Sequence, residues 1–230
     1  MTLRIMSLIQ SLKIVLAPPH RAGRPFLLAG GLVAVLGRAT PWRLTRFVGT
    51  LGGLFFGFCL YFFRDPKRVP PFGGNFVVAS ADGRVTSVEL VPPPADLDIG
   101  TEPVWRVATF LSVLDVHVNR IPAAGTITKI VYHPGQFVNA SLDKASELNE
   151  RNSLAIALPD GRNIGVVQIA GLIARRILCS VEENDRVETG ERFGLIRFGS
   201  RTDVYLPHGV VPKVSVGQTM IGGETVLAQL

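Results

Sequence analysis

Two uncharged apolar runs constrain this chain more than anything else in it: PFLLAGGLVAVLG at 25–37 and FVGTLGGLFFGFCLYFF at 47–63, with arginines flanking every end. Each is shorter than the roughly 18–20 residues that a helix perpendicular to a bilayer requires. Their surroundings are strongly basic. Residues 1–68 carry Arg4, Lys13, Arg21, Arg24, Arg38, Arg43, Arg46, Arg64, Lys67 and Arg68 against one acid, Asp65. That segment is therefore +9, and because the 230-residue chain is +6, the remainder nets −3. A basic, aromatic-rich pair of short apolar helices predicts a membrane hairpin or an interfacial anchor. Two ordinary core helices are the alternative. Arginines at every end leave the topology open. No small-residue cleavage site follows a single apolar run, so a removable signal peptide is not expected.

After FFRDPKRVPPFGGN the texture changes. Pro66, Pro70, Pro71, Gly73 and Gly74 form a linker, which divides a membrane-anchoring segment (1–68) from a β-rich domain (76–230). In that domain the runs NFVVAS, GRVTSVEL, VWRVATFL, GTITKIVYH, SLAIALPD, NIGVVQIAG, RFGLIRF, TDVYLP and ETVLAQL alternate with turn signals at intervals near ten residues. Such spacing predicts a mainly β fold, a sandwich or barrel-sandwich. LIARRILCSV (172–181) is ambiguous between helix and strand. HPGQFVNAS, ENDRVETGE and SVGQTMIGGE share a turn-strand-turn texture like that of lipoyl-type domains, and coincidence among Gly-rich turns explains them equally well.

Several function classes lack support. Cys59 and Cys179 form neither a disulfide framework nor a metal motif, which fits a reducing compartment. No GxGxxG, P-loop, HExxH or GxSxG occurs. Nucleic-acid binding is disfavoured because the basic residues interleave with lipid-like runs. LDKAS (142–146) suggests a lipoyl-carrier lysine at Lys144, but the charged SELNERN that follows spoils the tight hairpin tip a carrier needs.

Of the four histidines, His20 lies in the basic segment, His208 in a PHG turn and His133 before Pro134-Gly135. His117 stands in FLSVLDVHVNRIP, where strand alternation would put Asp115, His117 and Asn119 on one face, opposite Val116 and Val118. Asp82 ends another strand in ASADGRV. In RFGSRTDVYLP (197–207), Gly199-Ser200 interrupts what should be continuous strand, and glycine inside a strand marks a bulge, a bend or a close approach.

Together, YFFRDP (61–66), ADG (81–83), FLSVLDVHVNRIP, the NAS-DKASE-NERN loop and FGSRTDVYLP, in this order and spacing, resemble the phosphatidylserine decarboxylase family in its short bacterial proenzyme form. The resemblance covers nearly the whole chain. It implies a self-cut between Gly199 and Ser200, giving a β chain of residues 1–199 and an α chain of residues 200–230 that stay together. Ser200 would become a covalent pyruvoyl cofactor that forms a Schiff base with the amine of phosphatidylserine, releasing CO₂ and leaving phosphatidylethanolamine. The same chemistry on another serine phospholipid, such as an archaeal-type ether lipid, is the nearest alternative, and a non-enzymatic lipoyl-like carrier or membrane scaffold is the one from another class. The resemblance also implies proton transfer by His117 and support of self-cleavage by Asp82. One branch of the family carries a second histidine three residues after the first, where this chain has Arg120. Activation of Ser200 thus falls to Asp82 directly, to His117 in both steps, or to a substitute such as His133. Arg120 is expected to hold Asp82 ionised or to grip the substrate phosphate or carboxylate. The expected location is the cytoplasmic face of the inner membrane, peripheral or hairpin-anchored. A homo-oligomer of the cut pair is compatible with the sequence.

Overall fold

The computed structural model describes residues 17–73, 75–135, 149–171, 176–197 and 199–230. Lys144, the LDKAS motif and residues 172–175 lie outside the described residues. The chain divides into two compact units, the first ending at Lys67 and the second being Arg68–Leu230.

The first unit is a helical hairpin. Its first helix, Arg24–Ala39, starts with Pro25 in the opening turn, where a missing N–H costs nothing. The second, Arg43–Phe62, is long and apolar enough to cross a membrane. Glycines let the two backbones approach closely: a Cβ on Gly37 would lie 2.5 Å from Gly49 Cα, and one on Gly52 would lie 2.9 Å from Ala34 N. Small residues at such a seam are typical of helices that pair in lipid. The base is tied by His20 N–H donating to the Phe63 carbonyl (2.7 Å) and Asp65 N–H to the Pro18 carbonyl (2.9 Å). With the seam made of glycine, the large side chains point outward. Leu28, Leu32, Leu44, Phe47 and Leu54 are all at least 60% exposed, so the hairpin surface is apolar between its arginine-bearing ends.

The second unit is antiparallel β. Its strands are β1 (Phe76–Val78), β2 (Gly83–Val91), β3 (Val104–Leu111), β4 (Val118–Arg120), β5 (Gly125–His133), β6 (Arg151–Ala157), β7 (Asn163–Ala170), β8 (Ile177–Cys179), β9 (Arg186–Val187), β10 (Arg192–Ile196), β11 (Ser200–Tyr205), β12 (Thr219–Met220) and β13 (Val226–Gln229). Eight form a large sheet in the order β12-β2-β3-β11-β7-β6-β5-β9, three form a small sheet β4-β10-β8, and β1 pairs with β13. The mainly β architecture with N-terminal helices is the one the sequence predicts. The ambiguous 172–181 run contributes the strand β8 within its described part, paired to β10 through Gly194↔Cys179.

Alternation along the strands sorts side chains onto two faces. One face of the large sheet presents Val85, Val107, Leu154, Val166, Val204 and, from β9, Val187, and these pack with Ile121 and Phe193 from the small-sheet region. Each fully buried side chain of this kind contributes about 1.5–3 kcal/mol. The layers meet so closely that a Cβ on Gly194 would lie 2.7 Å from Gln168 Nε2 of β7. The other face carries a second cluster around Leu97, Val167, Ile169 and Tyr205.

Candidate active site

β11 runs through the middle of the large sheet, between β3 and β7, and Ser200 is its first residue. Ser200 pairs with Leu111 on one side and Ala170 on the other. Immediately before it, Gly199 adopts φ +74°, the left-handed region that side chains with a Cβ avoid. The Gly-Ser break is therefore a sharp turn of the backbone at the mouth of a central strand, not a bulge inside it.

Three groups define the surroundings of Gly199 and Ser200. The Gly199 carbonyl accepts a hydrogen bond from Gly171 N–H at 3.0 Å, just beyond the end of β7. Gly199 N–H donates to His117 Nε2 at 3.2 Å. Ser200 is fully buried, and its hydroxyl has no hydrogen-bond partner among the described residues. A buried hydroxyl without a partner forfeits about 1–3 kcal/mol. Such a cost is tolerated where the group has chemistry to perform.

His117 is also fully buried, and a turn sets its orientation. The Asp115 carboxylate accepts from Ser112 N–H at 2.8 Å, closing a tight turn, and the Asp115 carbonyl then meets His117 Nδ1 at 2.9 Å. With Nε2 accepting from Gly199, Nδ1 carries the proton and the imidazole is neutral. Alternation had placed Asp115, His117 and Asn119 on one strand face. The structure instead breaks the strand at 112–115, so Asp115 caps the turn and only Val118–Arg120 is strand. Asn119 is held by an amide chain in which Asn152 Nδ2 donates to Gln168 Oε1 (3.0 Å) and Gln168 Nε2 donates to Asn119 Oδ1 (2.8 Å). All three side chains are buried. This chain ties β6 and β7 to the strand that follows His117, and no sequence motif announced it.

Asp82 precedes β2 of the large sheet, and Arg120 ends β4 of the small one. The Asp82 carboxylate accepts from Arg68 Nη2 (2.7 Å) and from Gly222 N–H (2.8 Å). Gly83, next to it, opens β2 at the end of the sheet where Phe110 and Leu111 flank Ser200 and Arg201. With β3 between them, β2, which starts just after Asp82, and β11, which starts at Ser200, run about 10 Å apart. Arg120 is buried, and its Nη1 donates to the Gly190 carbonyl at 2.9 Å. His133 is not brought to Ser200. The cross-strand row His133, Arg151, Ile169, Arg201 lies on the face opposite Ser200, and His133 Nε2 pairs with Asp96 Oδ2 at 2.6 Å. There it lines a separate cavity of about 470 Å³ with Arg106, Ser153 and Tyr205.

Electrostatics behind β11 are dominated by one buried ion pair. Arg201 grips Asp203 with two bonds, Nε to Oδ1 at 2.6 Å and Nη2 to Oδ2 at 2.7 Å, with both side chains at most 2% exposed. Burial pushes the Asp203 carboxyl upward, and the Arg201 fork and Arg106 pull against it. Burial, reinforced by Asp203, raises Tyr205 to about 12. These groups fix the strand that begins with Ser200 from its far face.

The sequence as a whole matches known proteins. The family model for phosphatidylserine decarboxylase matches residues 55–228. A phosphatidylserine decarboxylase proenzyme of Gluconobacter oxydans is 75% identical over 98% of this chain and 100% of its own length. That of Gluconacetobacter diazotrophicus is 73% identical over the same shares, and that of Cereibacter sphaeroides 53% identical over 96% of this chain and 94% of its own. A left-handed glycine, a buried serine hydroxyl after it and a histidine bonded to the glycine N–H thus sit within near-complete matches, and the chain belongs to the phosphatidylserine decarboxylase family.

Proposed function

We propose that this chain cuts itself between Gly199 and Ser200 and then converts phosphatidylserine to phosphatidylethanolamine and CO₂ through a pyruvoyl group made from Ser200. The observation that carries this is the Gly199–Ser200 step: a left-handed glycine whose carbonyl accepts from Gly171 N–H and whose own N–H donates to His117, followed by a buried serine hydroxyl with no partner among the described residues.

The self-cut balances as follows. Ser200 Oγ adds to the Gly199 carbonyl carbon, the Gly199–Ser200 C–N bond breaks, and the hydroxyl proton ends on the Ser200 nitrogen, leaving an ester. Loss of the Ser200 α-proton then breaks the Cβ–Oγ bond and releases residues 1–199 with a Gly199 carboxylate. The dehydroalanine left on residue 200 takes up one water and loses ammonia. The residues present fit the group that results. Position 200 begins a central strand whose far face is anchored by Arg201–Asp203, so the new chain end is held in place. When formed, the group supplies an electrophilic carbonyl that takes up the electrons freed by decarboxylation.

The His117 geometry supports proton transfer in the second reaction. In the uncut chain its Nε2 lone pair is taken by Gly199 N–H, so the imidazole positions the peptide. Departure of Gly199 gives Nε2 a new role beside residue 200, imidazole being the side chain most often used for general acid–base transfer. Asp82, bonded to Arg68 and Gly222, supports self-cleavage by holding the start of β2. Arg120, bonded to Gly190, is better suited to fixing β4 than to gripping headgroups.

The hairpin suits a lipid substrate. Its apolar surface with arginines at both ends supports membrane attachment, and an excess of cations favours an anionic leaflet such as the cytoplasmic one. The test is made on full-length protein in detergent micelles containing phosphatidylserine. Wild type should release CO₂, whereas Ser200→Ala should remain one chain and release none. A Ser200→Ala protein that is cut normally, or that stays active, removes Ser200 from the account.

A further inference from the structure

The self-cut needs more than a nucleophile. When Ser200 Oγ adds to Gly199, negative charge develops on the Gly199 carbonyl oxygen, and something must stabilise it. That oxygen is the acceptor of the 3.0 Å bond from Gly171 N–H. We propose that the Gly171 backbone amide is the electrophilic group of self-cleavage, the donor that stabilises the oxyanion on Gly199. The proposal rests on the cut falling at Gly199–Ser200.

Backbone alternation delivers this N–H. At the end of β7, Ala170 N–H points away from β11 and donates to the Glu150 carbonyl at 2.9 Å, while the Ala170 carbonyl accepts from Asn149 Nδ2 at 2.7 Å. The next residue points the other way, so Gly171 N–H faces Gly199. The 3.0 Å separation lies within the 2.7–3.1 Å range of effective oxyanion donors. A main-chain donor just past the end of a strand paired on both sides is preorganised, because the ladder holds it before any charge appears. It also accounts for the bond pattern on this peptide. His117 holds the nitrogen side of Gly199 and Gly171 holds its oxygen, so the carbonyl carbon stays oriented toward Ser200.

A side-chain variant cannot remove an N–H, so the test replaces the amide itself. Full-length chain is synthesised in a cell-free system with lipid nanodiscs, and a suppressor tRNA charged with glycolic acid inserts an ester at position 171. A parallel chain carries the lactic-acid ester at position 170, which deletes the Ala170–Glu150 bond instead. Appearance of the fragment 200–230 is followed by mass spectrometry. The expected result is cleavage slowed by about 10²–10³-fold in the 171 ester, with the 170 ester within about threefold of wild type. Normal cleavage of the 171 ester, or equal slowing of both esters, overturns the role of Gly171. A Ser200→Ala chain run alongside separates the two failures. If it too is cut normally, the assignment of the cleavage site is what falls.

Discussion

Replacing Gln168 with leucine should loosen the layer that carries His117. Gln168 is the middle of a buried amide chain, accepting from Asn152 at 3.0 Å and donating to Asn119 at 2.8 Å. Leucine has a similar volume but no polar atoms, so it leaves Asn152 Nδ2 and Asn119 Oδ1 without those bonds in a region closed to water. Each abandoned buried group costs about 1–3 kcal/mol. Extra apolar burial returns about 1 kcal/mol. The net loss is about 1–5 kcal/mol, a sizeable share of the ~5–15 kcal/mol that stabilises an ordinary domain. The assay is urea unfolding of full-length protein in micelles, in a Ser200→Ala background that keeps one chain. Trp42→Phe leaves Trp105 as the only tryptophan reporter. Asn119→Leu and the double variant complete a cycle. Because both singles remove the same bond, the double should cost less than their sum, with a coupling of about 1–2 kcal/mol. A Gln168→Leu cost below about 0.5 kcal/mol, or strict additivity, would refute the amide chain as a structural tie.

Other parts of the molecule respond in distinct ways. Gly199→Ala meets no atom within 4 Å but keeps φ at +74°, so it should destabilise the uncut chain by about 1–2 kcal/mol through backbone strain alone, measured by urea unfolding in the same Ser200→Ala background. Arg201→Met strands the Asp203 carboxylate and should cost about 3–5 kcal/mol, while Arg201→Met with Asp203→Leu recovers most of it; no recovery in the pair would contradict the ion-pair assignment. Tyr205 should ionise near 12 in an alkaline ultraviolet titration. Because its folded pKa lies above the usual 10, its contribution to stability is complete below pH 10 and is lost as pH rises through about 12. Gly37→Val drives a side chain into Gly49 and should part the helices, seen as a longer distance between spin labels at Leu36 and Thr50; an unchanged distance would show the seam is not close-packed.

Much of this architecture was legible in the sequence, for physical reasons. Apolar runs bracketed by arginine announce the helices at 24–39 and 43–62, because only an apolar environment stabilises so many outward Leu and Phe side chains. β-rich runs separated by turn signals at intervals near ten residues announce most of the long strands. FGSRTD marks Gly199-Ser200 because a glycine where a central strand begins is costly unless something requires it. What stayed hidden was contact between distant segments. Nothing near His117 reveals that its partner is the amide of Gly199, 82 positions away. The Gln168 amide chain and the Gly171 donor arise from strand register, which local pattern does not specify. Alternation misplaced Asp115 because its carboxylate closes a turn on Ser112, a local bond that outcompetes strand. His133 looked available until register put it on the opposite face from Ser200.

The central claim is that Ser200 becomes a chain terminus, and intact-mass analysis of the purified full-length protein tests it most directly. The account predicts two masses, residues 1–199 ending in a glycine carboxylate, and residues 200–230 starting with a blocked, hydroxylamine-reactive pyruvoyl group. A single uncut mass in a preparation that fully decarboxylates phosphatidylserine would contradict it.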